Sequence, residues 1–284
     1  MVVAVKRLKK AGQGMEEFLA EMETLGNIHH VNLVRLIGFC ADRKNNRMLV
    51  YEYMACGSLD KWIFFRDKGS SCLTWNMKKK ILFDIAKELA YLHHECRHKI
   101  AHLDVKPQDI LLDEKFNAKL SDFGTSKLIN RNQSEVLTHV RGTLGYLAPE
   151  WQHEKITVKA DTYSFGVVIL EVVTGRKVLD YSQQPESHIH LLSLLQTKAA
   201  ENRLIDIVDH YSKELTLQSE RDQVVAVMQL GMWCLNITYT KRPAMSLVVK
   251  FLEGIVASSP NCNLLPVAIK SPRLNCLSSD VKPL

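Results

Sequence analysis

Apolar positions along the chain change their spacing several times, and each change marks an element. Val2 to Lys6 is a short apolar run closed by a cation, which reads as a strand. Gly12-Gln13-Gly14 reads as a turn. After it, Met15, Phe18, Leu19, Met22 and Leu25 recur at helical spacing with acids on the other side, which predicts an amphipathic helix. Leu33 to Cys40 and Met48 to Tyr53 are apolar and strand-like, and the polar stretch Asp42 to Arg47 between them predicts a hairpin. From Ser58 onward helical patterns dominate. Met77 to His93 carries apolar residues at 81, 82, 85, 86, 89 and 92, and Ser164 to Thr174 and Val224 to Cys234 read as further helices. Ile100 to Leu128 differs. Its short apolar runs are broken by Asp, Pro and Gly, as in loop-rich segments that carry functional groups. The stretch from Ser258 is rich in Ser, Pro and Asn and reads as a flexible tail. The expected division is therefore a small unit over 1–54, a helical unit over 55–257 and a tail over 258–284, without internal repeats.

Composition narrows the function classes. The chain has 284 residues, 46% of them apolar, which suffices for a buried core and argues against disorder. The formal charge is +6 but its cations are spread in mixed-sign clusters, so no nucleic-acid partner is expected. The densest basic run, Lys78-Lys79-Lys80, falls at the start of an amphipathic helix. Seven cysteines, an odd number without any CxxC, point to reduced thiols and a cytosolic setting. His93-His94-Glu95-Cys96 suggests zinc at first sight, but adjacent histidines point to different helix faces and no second ligand pair matches. No signal peptide opens the chain, and no apolar stretch is long enough to span a bilayer, so the expectation is a soluble, cytoplasmic chain.

Chemistry is concentrated in short patterns that follow one another in a fixed order. Val3-Ala4-Val5-Lys6 comes first and Glu21 follows on the expected helix. Then come His102-Leu103-Asp104 with Lys106, Asp122-Phe123-Gly124, and Ala148-Pro149-Glu150. Gly142-Thr143, Asp161 with Phe165-Gly166, and Arg242-Pro243 extend the series. Each is weak alone, but in this order they resemble the signature set of eukaryotic protein kinases over about residues 2 to 255. His29-His30-Val31-Asn32-Leu33-Val34, Leu49-Val50-Tyr51-Glu52-Tyr53-Met54 and Gly142-Thr143-Leu144-Gly145-Tyr146-Leu147-Ala148-Pro149-Glu150-Trp151 are similar to plant receptor-like Ser/Thr kinases, in particular the lectin-bearing group.

The resemblance implies an α+β, two-lobed fold with a small β-rich N-lobe and a larger helical C-lobe. It implies ATP and Mg²⁺ as cofactors and transfer of the γ-phosphate to Ser/Thr of protein substrates. Phosphoryl transfer asks a protein for charge neutralisation and in-line positioning more than for covalent help. By resemblance, Lys6 neutralises the phosphates and Glu21 holds Lys6. Asp104 is the base for the acceptor hydroxyl and Lys106 steadies the γ-phosphate. Asp122 and Asp109 bind the metal. Ala4 and Leu111 sandwich the adenine, while backbone from Glu52 to Met54 bonds its edge and Tyr51 gates the rear. Thr138 and Thr143 belong to the activation segment. Glu150 and Arg242 form a buried ion pair, and Asp161 supports a column of Leu25, Leu36, His102 and Phe123. Such relatives carry an outer domain and a membrane span, with the kinase on the cytoplasmic side among receptor-complex partners.

Three departures qualify these expectations. No Gly-x-Gly-x-x-Gly strand pair precedes Lys6, which implies a raw sheet edge, a bare apolar face and weaker nucleotide binding. Asp109 stands where the family has asparagine. Leu103 stands where the family has an arginine that grips a phosphorylated loop. A catalytically impaired binding module is the alternative these departures keep open. A small-molecule phosphotransferase is a weaker one, since it gives no reason for the Gly-Thr to Ala-Pro-Glu stretch.

Overall fold

A computed structural model describes residues 2–8, 13–26, 28–41, 47–64, 73–130, 135–137, 141–153, 155–180, 190–208 and 217–256. Thr138 and the expected tail lie outside the described residues. Three strands, β1 (Val3–Leu8), β2 (Leu36–Ala41) and β3 (Arg47–Glu52), form an antiparallel sheet in the order β1-β3-β2. The register sets Ala4 opposite Tyr51 and Lys6 opposite Leu49, so the even-numbered residues of β1 share one face with these two. Helix α1 (Gln13–Leu25) covers that face, burying Phe18 with Leu8 and Leu49 and packing Met22, Leu36 and Tyr51 around them.

Two expectations change here. Gln13 and Gly14 belong to α1 rather than to a turn. Met15 and Leu19 are exposed, because the narrow sheet covers only the Phe18–Met22–Leu25 side of the helix. Val3 and Val5 are exposed, and β1 pairs on one side only among the described residues.

Short strands β4 (Gly57–Ser58), β6 (Ile110–Leu112) and β7 (Ala118–Leu120) form the floor beneath this sheet, and β5 (Lys99–Ala101) pairs with β8 (Lys127–Ile129). The two parts are tied by backbone. Val34 N–H donates to Leu120 O at 3.1 Å, and Leu120 N–H to Asn32 O at 3.0 Å. Helices α2 (Asp60–Ile63), α3 (Trp75–Ala90), α4 (Lys159–Thr174), α5 (Leu191–Ala200), α6 (Gln218–Cys234) and α7 (Met245–Val256) build the larger lobe, in which β9 (Val136–Leu137) pairs with β10 (Lys155–Ile156). Thr74 caps α3, accepting from Met77 N–H at 3.3 Å. The basic run does open that helix, yet Lys78 and Lys79 are buried. Lys79 Nζ bonds Gln223 at 3.1 Å, and Lys80 Nζ bonds Asn117 at 2.5 Å.

Helix α4 is the axis of the lobe. Every residue from Ala160 to Thr174 is buried, which is why it is apolar on all sides. Helix α6 crosses it at Gly166, where a Cβ atom would lie 2.7 Å from Cys234 Cβ and 2.9 Å from Gly231 O. Backbone cannot yield there as a flexible side chain can. Gly166→Ala is therefore expected to lower stability by about 1–3 kcal/mol, read as a drop in the urea midpoint. An unchanged midpoint would mean that the helices separate at no cost.

Candidate active site

Lys6, Glu21 and Asp122 come from three different elements and meet at one point. Lys6 Nζ donates to Glu21 Oε1 and, at 2.7 Å, to Asp122 Oδ1. Tyr51 O–H donates to the other oxygen of Glu21. Two carboxylates thus share one ammonium. Burial pushes the Glu21 carboxyl up to about 7 against the pull of Lys6. Burial also opposes the charge on Asp122, but Lys6 overrides it and holds this carboxyl well below the usual range. The Lys6 ammonium is raised, as burial is outweighed by its two acidic partners.

Asp122 is placed by the turn that follows β7, with a left-handed φ of 61°. Phe123 behind it is fully buried, its ring 4.7 Å from that of His102. Leu25 is buried nearby and Leu36 is half-buried at the top. Asp161 anchors the other end. Its carboxylate accepts from His102 N–H at 2.9 Å and from Leu103 N–H at 2.7 Å. Leu103 has φ of 70°, a conformation leucine rarely adopts, and these bonds hold it there.

Asp104 follows directly. Its Oδ1 accepts from Thr143 Oγ1 at 2.7 Å and its Oδ2 from Lys106 Nζ. Lys106 also lies 2.8 Å from Asp109 Oδ2. Burial pushes the Asp109 carboxyl up to about 7 although Lys106 opposes this.

Between the lobes lies a cavity of about 320 Å³ lined by Ala4, Lys6, Val34, Tyr51, Glu52, Met54, Gly57, Leu111, Asp109, Ser121 and Asp122. Ala4 and Leu111 are both on its walls, and the Glu52–Met54 connector forms its rim. Sequence reasoning gave Val34, Gly57 and Ser121 no role in the site. Val34 reaches the cavity through its backbone tie to Leu120 of β7, Ser121 directly follows that strand, and Gly57 is placed by the pairing of β4 with β6. The donor set suits a divalent cation of the hard type. Asp109 Oδ2 is buried with Lys106 Nζ as its ion-pair partner, and Asp109 and Asp122 both line the cavity. Among the described residues no group of three or more acidic, His or Cys side chains is placed to hold a metal ion, so further ligands would come from phosphate oxygens and water.

The protein kinase domain family matches residues 1–251. The chain belongs to that family. Among curated relatives, the kinase domain is 44% identical over 281 residues to a G-type lectin S-receptor-like serine/threonine-protein kinase of Arabidopsis thaliana, covering 98% of this chain and 34% of the relative. It is 42% identical over 267 residues to a probable receptor-like protein kinase of the same plant, covering 89% and 59%. A probable L-type lectin-domain containing receptor kinase is 40% identical over 261 residues, covering 89% and 39%. The chain thus spans about a third of the first relative's length. No helix among the described residues is long and apolar enough to cross a membrane.

The kinase domain holds a buried acid that its motifs do not announce. Glu171 lies inside apolar α4, fully buried, and accepts from Tyr146 O–H at 2.8 Å and Val178 N–H at 2.7 Å. Burial pushes its carboxyl up to about 7 from 4.5, the two hydrogen bonds opposing. The folded state therefore binds this proton more tightly. The resulting stability is complete below about 4.5 and is lost as pH rises through about 7. Glu171→Gln cannot ionise, so it should gain on wild type by about 2–3 kcal/mol between about pH 5 and about pH 8. Thermal melts of both proteins at the two pH values test this. A gap that does not widen with pH would contradict it.

Proposed function

We propose that the chain is the catalytic domain of an ATP-dependent protein kinase that phosphorylates Ser/Thr hydroxyls of protein substrates in receptor-linked signalling. The observation that carries the reading is Lys6, held between Glu21 and Asp122 on the wall of the interlobe cavity. A cation fixed by two carboxylates suits the phosphates of a nucleotide, and Asp122 with Asp109 suits Mg²⁺, which would neutralise charge on the phosphates when bound. Ala4 and Leu111 then hold the adenine, and backbone from Glu52 to Met54 meets its edge. Asp104 orients the acceptor hydroxyl and Lys106 steadies the transferred group. The units are residues 1–54 and 55–257, with the cleft between them. The Ser/Thr specificity and the receptor setting are supported by the relatives, which are receptor-like kinases. They suggest a place at the cytoplasmic face of a membrane among receptor-complex partners.

The test has two arms: thermal shift with Mg-ATP, and transfer of labelled phosphate to a Ser/Thr peptide mixture. A stabilisation that needs both metal and nucleotide, with label on Ser/Thr, is expected. Neither shift nor transfer would replace this reading with that of a binding module.

A further inference from the structure

Arg141 pairs with Glu16 on the first turn of α1, an ion pair that reaches across 125 residues of chain. An exposed pair of this kind usually contributes little to stability. Its placement gives it another use. Two residues after Arg141, Thr143 donates to Asp104. Gly142 between them has φ of 121°, and a Cβ there would lie 2.8 Å from Leu147 Cδ2 and 3.0 Å from Leu103 O. The backbone from Arg141 to Thr143 is therefore seated on Leu103 and Asp104 and has little room to shift.

Helix α1 is also fastened to the start of the same segment. A Cβ on Gly124 would lie 3.2 Å from Glu17 Cβ, and Thr24 Oγ1 is 2.8 Å from Ser126 Oγ. The helix that carries Glu21 is thus held by both ends of the stretch running from Asp122 to Thr143. Leu103, apolar and buried, brings no charge to that stretch.

We propose that Arg141 is a positioning residue whose ion pair with Glu16 keeps α1, and so Glu21 on Lys6, in register with the Thr143–Asp104 contact without a phosphate on the segment. This deepens the kinase reading and rests on it.

The test is a charge-swap cycle in phosphatase-treated full chain: Arg141→Glu, Glu16→Arg and both together. Arg203→Glu serves as the control. It changes the net charge as Arg141→Glu does, but breaks surface pairs with Glu201 and Asp206, none of which lines the cavity. Turnover of a Ser/Thr peptide is read alongside hydrogen exchange of α1 amides and melting temperature. Each single reversal is expected to lower kcat about fivefold and speed α1 exchange, with the melting temperature unmoved. The double variant is expected to return to within about twofold of wild type, and the control to match it. A double variant as slow as the singles, or singles equal to wild type, overturns the proposal. A wild type that transfers no phosphate refutes the kinase reading itself. Exchange of α1 then decides alone: protection lost in the singles and regained in the double supports the coupling, and equal protection in all overturns it.

Discussion

Arg242→Ala is expected to destabilise the protein by about 3–5 kcal/mol. Arg242 is 2% exposed and Glu150 is 8% exposed. They form a two-pronged pair, Nη1 to Oε1 and Nη2 to Oε2, both at 2.6 Å. The guanidinium has further duties. Its Nε donates to Asn236 O at 2.7 Å, Nη1 to Lys159 O at 2.9 Å and Nη2 to Ile237 O at 3.3 Å. Removing it strands a buried carboxylate and takes a donor from three part-buried carbonyls. Removing Glu150 instead leaves a cation that still has three carbonyls and the face of Tyr163, 5.1 Å from its ring centre. Glu150→Ala should therefore cost distinctly less than Arg242→Ala. Urea melts of the two variants give the ranking directly. Equal losses would mean that the pair alone, not the carbonyl contacts, sets the cost.

The same pair shows where sequence informs and where it stops. Lys6, Glu21, Asp104, Asp122, Glu150 and Arg242 carry their signal in residue identity and order, so the meeting of Lys6 with Glu21 and Asp122 and the pairing of Glu150 with Arg242 could be anticipated. The strands and the long helices were readable because burial on one face leaves a period in the chain. Helix α7 carried the same period, at Met245, Val248, Phe251, Leu252 and Ile255, and lay outside the helices expected from sequence. Other features leave no local mark. Glu171 looks like an interruption of an apolar run, and only Tyr146 and Val178, brought from elsewhere, make it a core residue. Met15 and Leu19 have the spacing of buried residues, but a three-stranded sheet covers too little of α1 to bury them. Lys78 and Lys79 look solvated, yet the packing of the large lobe over the start of α3 buries them. Leu103 could be read only as a missing cation. Its left-handed backbone and its bonds to Asp161 are facts of the tertiary fold.

Asp104→Ala should reduce phosphotransfer by about a thousandfold while leaving the affinity for Mg-ATP within about twofold of wild type. The split follows from where the carboxylate sits. Lys6, Asp109 and Asp122 line the interlobe cavity, whereas Asp104 stands beyond it, held by Thr143 on one oxygen and Lys106 on the other. Its removal strips no wall from the cavity. Lys106 keeps a partner, since Asp109 lies within 2.8 Å, so the variant exposes no unpaired buried cation and should fold. What is lost is the acceptor that would orient the incoming hydroxyl, which acts only while the phosphoryl group moves. The turnover number should fall and the nucleotide dissociation constant should not, as measured by single-turnover transfer and calorimetry. A fall in affinity matching the fall in rate would place Asp104 among the groups that bind ATP. A rate left intact would remove it from the chemistry altogether, and the role of acceptor would pass to another carboxylate of the cleft.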